Sequence, residues 1–158
     1  GATPRRWYAG LWMRSIVADT GPIVCFLYRD DPDHPLVRKF LRDNAVALIT
    51  TWPVITEAWH LLLARAGLKP ALALMRWVNA GGLRVAAPHE DDPSALLELL
   101  ERYADHPMDL ADASLVLLAE RSGVTEILTI DRLEFDSYRT RDGHSLVNLL
   151  PAPRRNRK

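Results

Sequence analysis

Cysteine is nearly absent from the 158 residues: there is one, Cys25. A lone cysteine forms no internal disulfide and no thiolate metal site, which excludes a disulfide-stapled secreted fold and a zinc finger and fits a reducing cytoplasm. No apolar run reaches the roughly 18–20 residues that a membrane helix needs, so no membrane contact is expected. Lysine is scarce, with only Lys39, Lys69 and Lys158. A phosphoacceptor receiver domain is disfavoured, because no lysine leaves a late strand. No G-x-S-x-G and no P-loop occurs. A D-x-D phosphatase would need an acid at position 21, which is Gly21. What remains is 48% apolar and 25% charged, the composition of one ordinary globular domain.

Net charge is also missing, since 20 basic residues balance 20 acidic ones. The balance is uneven along the chain. Arg5, Arg6 and Arg14 lie in the first 14 residues without an acid, and Arg154, Arg155, Arg157 and Lys158 close the chain the same way. Residues 15–150 hold 13 basic and all 20 acidic residues, a net of −7. Electrostatics alone makes such a body a poor binder of nucleic acid. A divalent cation is the natural way to neutralise part of that acid. The opening Gly-Ala-Thr-Pro, without Met and without an apolar core of signal-peptide length, reads as an extension or expression remnant covering residues 1–14, with Met13 as the expected start. Residues 15–151 are expected to form the domain and 152–158 a basic tail.

Short apolar runs alternate with helical periodicities. Ile16-Val17-Ala18, Val46 to Ile49, Leu83 to Ala87 and Glu126 to Ile130 read as strands, with Ser145 to Leu150 as a short fifth. Helices are expected over 22–28, 34–42, 51–66 and 70–79, then over 94–104, opened by Asp92-Pro93-Ser94, and 109–121. The stretch from Asp131 to Gly143 reads as irregular and polar. This alternation implies an α/β layered fold with a parallel sheet of four to five strands flanked by helices. In such sheets ligands bind beyond the carboxyl ends of the strands.

The acids gather there. Asp19 follows the first strand and Asp131 the fourth. Glu57 lies in the first two turns of the helix after the second strand. Asp109 and Asp112 open the helix before the fourth. Asp112 shares a face with Leu115, Val116 and Ala119, and Glu57 with Val54, Leu61 and Ala64, so both point toward the core. A carboxylate on a buried face needs a partner or shifts its pKa. Acids facing one another across a pocket would repel, and a hard divalent cation relieves that repulsion through oxygen ligands. Such a pocket activates water against a phosphodiester. Other readings stand beside this one. Asp19 can be a turn residue, Asp109 a helix cap with Asp112 at the third position, Glu57 a solvated helix acid, and Asp131 a loop residue.

The segments IVADTGPIVCFLYRDDPDH (16–34), TTWPVITEAWHLL (50–62), MDLADASLVLLAERSG (108–123) and ILTIDRLEFDSYR (127–139) occur in the order seen in PIN-domain ribonucleases, and HSLVNLLP (144–151) resembles their closing strand. The chain resembles that family, and within it the VapC-like toxins of toxin–antitoxin pairs. The resemblance implies a PIN-like three-layer α/β/α fold and a Mg²⁺- or Mn²⁺-dependent endoribonuclease. It puts the acidic positions at Asp19, with Thr20 beside it, Glu57, Asp112 and Asp131, with Glu134 as a nearby substitute; many relatives carry Asn in place of Asp131, followed by an acid and Phe, here Glu134-Phe135. Asp19, Asp112 and Asp131 are expected to hold the ion, Glu57 to be a further ligand or to orient water, and Asp109 to serve the metal or the cap. The resemblance also implies an RNA substrate, an antitoxin partner and a homodimer. Relatives that process RNA without being toxins, and a catalytically silent binding module, are the alternatives.

Residues around the acids carry weaker signals. Arg132, Arg139 and Arg141 are read mainly as solvated, with phosphate contact as the alternative. Trp52 and Trp59 flank Glu57 and are expected in the core, with base stacking as the alternative. Cys25 is expected as a small core residue. His60, one turn from Glu57, is either half-buried or hydrogen-bonded to it.

Overall fold

A computed structural model of the chain describes residues 5–8 and 11–152. The elements, in chain order, are β1 (Arg5–Tyr8), β2 (Leu11–Ala18), α1 (Thr20–Leu27), α2 (His34–Asp43), β3 (Val46–Thr50), α3 (Trp52–Ala66) and α4 (Leu68–Asn79). They continue with β4 (Leu83–Val85), α5 (Asp92–Arg102), α6 (Leu110–Ser122), β5 (Glu126–Leu128), α7 (Arg132–Ser137) and β6 (Val147–Asn148). Five strands pair in parallel in the order β4-β3-β2-β5-β6. This is the expected α/β sheet, with seven helices around it among the described residues. No helix among the described residues is long and apolar enough to cross a membrane.

The strand order positions the site. From β2 the chain winds outward through β3 and β4, then returns across the sheet to β5 on the other side of β2. The sheet therefore reverses its winding between β2 and β5, where ligands enter open α/β sheets. Register pairs Val17 with Ile127 and Ala18 with Leu128, and the Asp19 N–H donates to the Leu128 carbonyl at 3.0 Å. The next residues out of the two strands, Asp19 and Thr129, consequently meet beyond the sheet edge. Ile16, Val17, Ala18, Ile127 and Leu128 are all buried, which is why both strands read as unbroken apolar runs.

Helices α1, α3 and α4 pack on one another, and α5 packs on α6. Helix α6 is buried along Ala111 to Leu117. It ends at Gly123, whose φ of 70° lets its N–H reach the Ala119 carbonyl at 3.0 Å.

Three expectations need correction. Residues 11–14, set apart from the domain on sequence, extend β2, and β1 pairs with them antiparallel, Arg5 opposite Arg14 and Tyr8 opposite Leu11. The aromatic and apolar residues of this stretch favour strand. The segment after β5 is not irregular throughout. Asp131 caps α7 by accepting from the Glu134 N–H, and Phe135 anchors the helix in the core at 1% exposure. Finally, α5 starts one residue earlier than its proline suggests, with Asp91 at the cap position. Asp92 instead accepts from the His89 N–H at 2.9 Å and pairs with Arg121. The tail from 153 onward lies outside the described residues.

Candidate functional site

Three helices begin where the sheet reverses, each with an acid at its first turn. Asp19 is the cap of α1 and its Oδ1 accepts from the Thr20 N–H at 2.7 Å. Asp109 caps α6 by accepting from the Asp112 N–H at 2.8 Å, and Asp112 sits two residues further into that turn than Leu110. Asp131 caps α7, accepting from the Glu134 N–H at 3.2 Å. The orphan N–H groups and positive end of a helix favour negative charge, so the chain can hold several carboxylates close together. Glu57 reaches the same place from the second turn of α3, where the Thr20 hydroxyl donates to its Oε2 at 3.0 Å.

The acids interact as a group. Asp19 is 7% exposed and Asp112 6%. Burial pushes the Asp19 carboxyl up to about 6, further raised by the charges of Glu57 and Asp109 and opposed by hydrogen bonds from Thr129 and Thr20. Burial also lifts Asp112, to about 8, reinforced by the charges of Asp109, Asp19 and Glu134. Asp112 and Glu134 share a hydrogen bond, and burial together with the charge of Asp131 raises Glu134 as well. The Tyr138 hydroxyl, inside the fold, lies 3.4 Å from Asp112 Oδ2. Its pKa is raised by burial and by the Asp112 charge, so the phenol stays a donor.

Asp19, Glu57, Asp109, Asp112, Asp131 and Glu134 are thus brought to one sheet edge, with Thr20 between Asp19 and Glu57. Glu57 is half-buried, and Ala64 on its face is exposed, so its face is less enclosed than the periodicity suggests. Asp131 and Glu134 are exposed and form the open side. The donor set is oxygen throughout, which suits a hard divalent cation. Two carboxylates held high chiefly by burial, and further by neighbouring acids, would return to their ionised form beside one.

Thr129 is the residue that sequence reasoning missed. It is fully buried. Its hydroxyl donates to Asp19 Oδ2 at 2.8 Å and accepts from the Asp131 N–H at 3.1 Å. Its backbone is clamped by the Asn148 amide, which donates to the Thr129 carbonyl at 3.0 Å and accepts from its N–H at 3.2 Å. The available signal was a hydroxyl residue directly after an apolar strand and two before an acid. Thr129→Val keeps the shape but leaves Asp19 Oδ2 and the Asp131 N–H short of a partner. It is expected to lower unfolding free energy by about 1–3 kcal/mol, read by urea denaturation at neutral pH. An unchanged midpoint would show that the hydroxyl holds nothing.

The surrounding residues are placed as follows. The Arg132 guanidinium donates to the Leu150 carbonyl, and Arg139 donates to the carbonyls of Asp136 at 2.6 Å and Tyr138 at 2.8 Å. Arg141 pairs with Glu98 at 2.7 Å. All three are therefore engaged within the chain. Trp59 packs against the core, but Trp52 is 45% exposed, against expectation, because the first residue of α3 faces outward over a cavity of about 560 Å³. None of the six acids lines that cavity. His60 is exposed. Cys25 is buried, its thiol donating to Asp31 Oδ1 at 3.1 Å with its pKa pushed up by burial. Cys25, Asp31 and Asp33 place ligand-type atoms within 4.8 Å of one another, but a protonated thiol engaged with one of the acids is a poor donor to a cation.

Comparison with known proteins bears on the fold and the family. The family model described as PIN domain matches residues 16–139. Ribonuclease VapC26 of Mycobacterium tuberculosis (strain ATCC 25618 / H37Rv) is 28% identical over 124 residues, covering 78% of this chain and 92% of that protein. The crystal structure of Mycobacterium tuberculosis VapC20, described as a sarcin-ricin loop cleaving toxin, aligns with a TM-score of 0.69 at 21% identity, over 75% of this chain and 91% of that one; this likeness bears on the fold. With the matched segment running from β2 through α7, the chain belongs to the PIN-domain family.

Proposed function

We propose that the chain is a divalent-metal-dependent endoribonuclease and the toxin of a toxin–antitoxin pair. The observation that carries the reading is the convergence of Asp19, Glu57, Asp112, Asp131 and Glu134 at the sheet's switch point, with two of the acids buried and repelling each other. The similarity to Ribonuclease VapC26 supports RNA as the substrate. Asp19, Asp112 and Asp131 would hold Mg²⁺ or Mn²⁺. The ion would supply positive charge against the phosphate and lower the pKa of water. Thr129 and Thr20 keep the Asp19 and Glu57 carboxylates aimed into the pocket. Glu57, less buried than Asp19, would take a proton from the attacking water. The water oxygen bonds to phosphorus, the bridging P–O bond breaks, and the leaving alkoxide takes up a proton to become the product hydroxyl.

The test is a cleavage assay on defined RNAs with Mn²⁺ or with EDTA, comparing wild type with Asp19→Ala. Cleavage is expected with Mn²⁺, and none with EDTA or with the variant, whose far-UV circular dichroism stays native. Cleavage that survives chelation overturns the metal, and cleavage by the variant removes Asp19 from the chemistry. The toxin assignment has its own readout. Expression alone slows growth and a co-expressed antitoxin restores it; normal growth with folded, active protein would make the chain an RNA-processing nuclease. An antitoxin binding over the acidic pocket and a homodimer complete the proposal, and light scattering of the protein alone checks the second.

A further inference from the structure

The acidic cluster has a neighbour. A cavity of about 420 Å³ opens beside it, and Thr129 and Asp131 belong to both. Its walls are aliphatic. Leu36 comes from α2, Leu133 from α7 and Leu150 from the segment after β6. Leu133 is 85% exposed, by far the barest large apolar side chain among the described residues, and nothing in the acidic cluster needs it. Arg132 fixes the Leu150 wall by donating to that residue's carbonyl. On the rim stands Asp33, which makes no side-chain cap bond to α2. Among the described residues its carboxylate accepts no hydrogen bond.

Size and lining suit a small planar group. Ligand cavities run from about 300 to 1,000 Å³, apolar with a few placed polar groups. The occupant is not a phosphate, because Asp33 and Asp131 both line the space and would repel one, while Arg132, the cation on the same lining, is engaged with the Leu150 carbonyl. A base fits better, since its faces take aliphatic contact and its edge offers N–H donors to an acceptor-only carboxylate. The cavity touches the cluster through Thr129 and Asp131, so a base lying in it belongs to a nucleotide next to the bond being cut.

We propose that this cavity is the subsite for one nucleobase flanking the scissile phosphate, and that Asp33 selects there a base whose edge carries an exocyclic amino group. The inference rests on the nuclease reading for its substrate. Leu133 and Asp33 are specificity-determining residues, outside the catalytic acids.

The experiment uses the full chain and uncleavable 2′-O-methyl oligoribonucleotides of one length, each abasic at a single position, with binding read by fluorescence anisotropy in Mn²⁺. One abasic position is expected to weaken binding about tenfold, within the span of a single base contact. Leu133→Ser, on the surface and harmless to folding, reproduces that loss on the intact oligonucleotide. Combining the two adds little, because both remove the same contact. Asp33→Asn is expected to bring the affinities for uracil and for an amino-bearing base at that position about tenfold closer. The subsite is overturned if no position is sensitive, if the two losses simply add, or if Leu133→Ser weakens only the hold on a co-expressed antitoxin. Wild-type cleavage without base sensitivity sinks the subsite and keeps the nuclease. Base-sensitive binding without any metal-dependent cleavage sinks the nuclease and leaves a base-binding cavity with no scissile bond beside it, which overturns the subsite as stated.

Discussion

Asp112→Asn is expected to abolish RNA cleavage and to make the metal-free protein more stable. Both effects come from the same side chain. Asp112 is 6% exposed on a helix buried from Ala111 to Leu117, and it sees Asp109, Asp19 and Glu134. Without a cation, folding at neutral pH must either bury its charge among like charges or take up a proton that the unfolded chain does not hold. Asparagine avoids the choice. Its carbonyl still accepts from Tyr138, and its amide gives the neighbouring carboxylates a donor. The loss of one ligand charge should lower kcat/KM by about 10³-fold or more, comparable to removal of a key electrostatic group elsewhere. The gain in stability should exceed roughly 1 kcal/mol, which shifts Tm by about 2–4 °C for a chain of this size. Differential scanning calorimetry in EDTA reads the second effect and a gel assay the first. A variant that loses activity and also melts lower would show that Asp112 is a structural acid, hydrogen-bonded and content in the fold.

This tension between function and stability also explains what the sequence discloses. The central strands are readable because Ile16 to Ala18 and Ile127-Leu128 are buried on both faces and leave no polar alternation. The acids are readable because they directly follow those strands or share a face with core residues, as Asp112 does. Helix α7 is not readable. It has six residues, a single core anchor in Phe135, and, apart from the exposed Leu133, polar residues elsewhere, so tertiary contact rather than periodicity makes it a helix. Thr129 is hidden for a related reason. A threonine at a strand end is ordinary until the β2–β5 register, which no local pattern encodes, sets it against Asp19. The same holds for Arg132 and Arg139, two of the three arginines read with phosphate contact as an alternative. Their engagement with the carbonyls of Leu150, Asp136 and Tyr138 follows from where the chain returns, 18 residues later in one case. Asp92 shows the reverse error. The Asp-Pro-Ser pattern fits a cap, yet Arg121, 29 residues on, draws its carboxylate away.

Metal-free protein is expected to lose stability as pH rises from about 4 to about 8, and Mn²⁺ to reverse the loss. Ordinary globular chains are most stable between about pH 5 and 8, so the expected slope has the unusual sign. Asp19 moves from 3.8 to about 6 and Asp112 from 3.8 to about 8 on folding. Between those values the folded state binds more protons than the unfolded one, so the unfolding free energy falls as pH increases. Each such group contributes at most about 1.4 kcal/mol per pH unit. Both act up to about pH 6, and Asp112 alone above it. The surface acids work the other way. Asp43, beside Lys39 and Arg42, and Asp92, beside His89 and Arg121, sit below their ordinary values. What they add is lost only below about pH 4, where their unfolded forms protonate. A cation competes with the protons at Asp19 and Asp112, so its stabilisation, RT ln(1 + [L]/Kd), should be small near pH 5 and reach roughly 2–3 kcal/mol near pH 8 at a hundredfold excess over Kd. Melting curves across that range, in EDTA and in excess Mn²⁺, carry the test. A flat or rising profile in EDTA would mean that the two carboxyls are not held apart from water as the fold places them. An equal Mn²⁺ increment at both ends would mean that the ion sits somewhere other than between them.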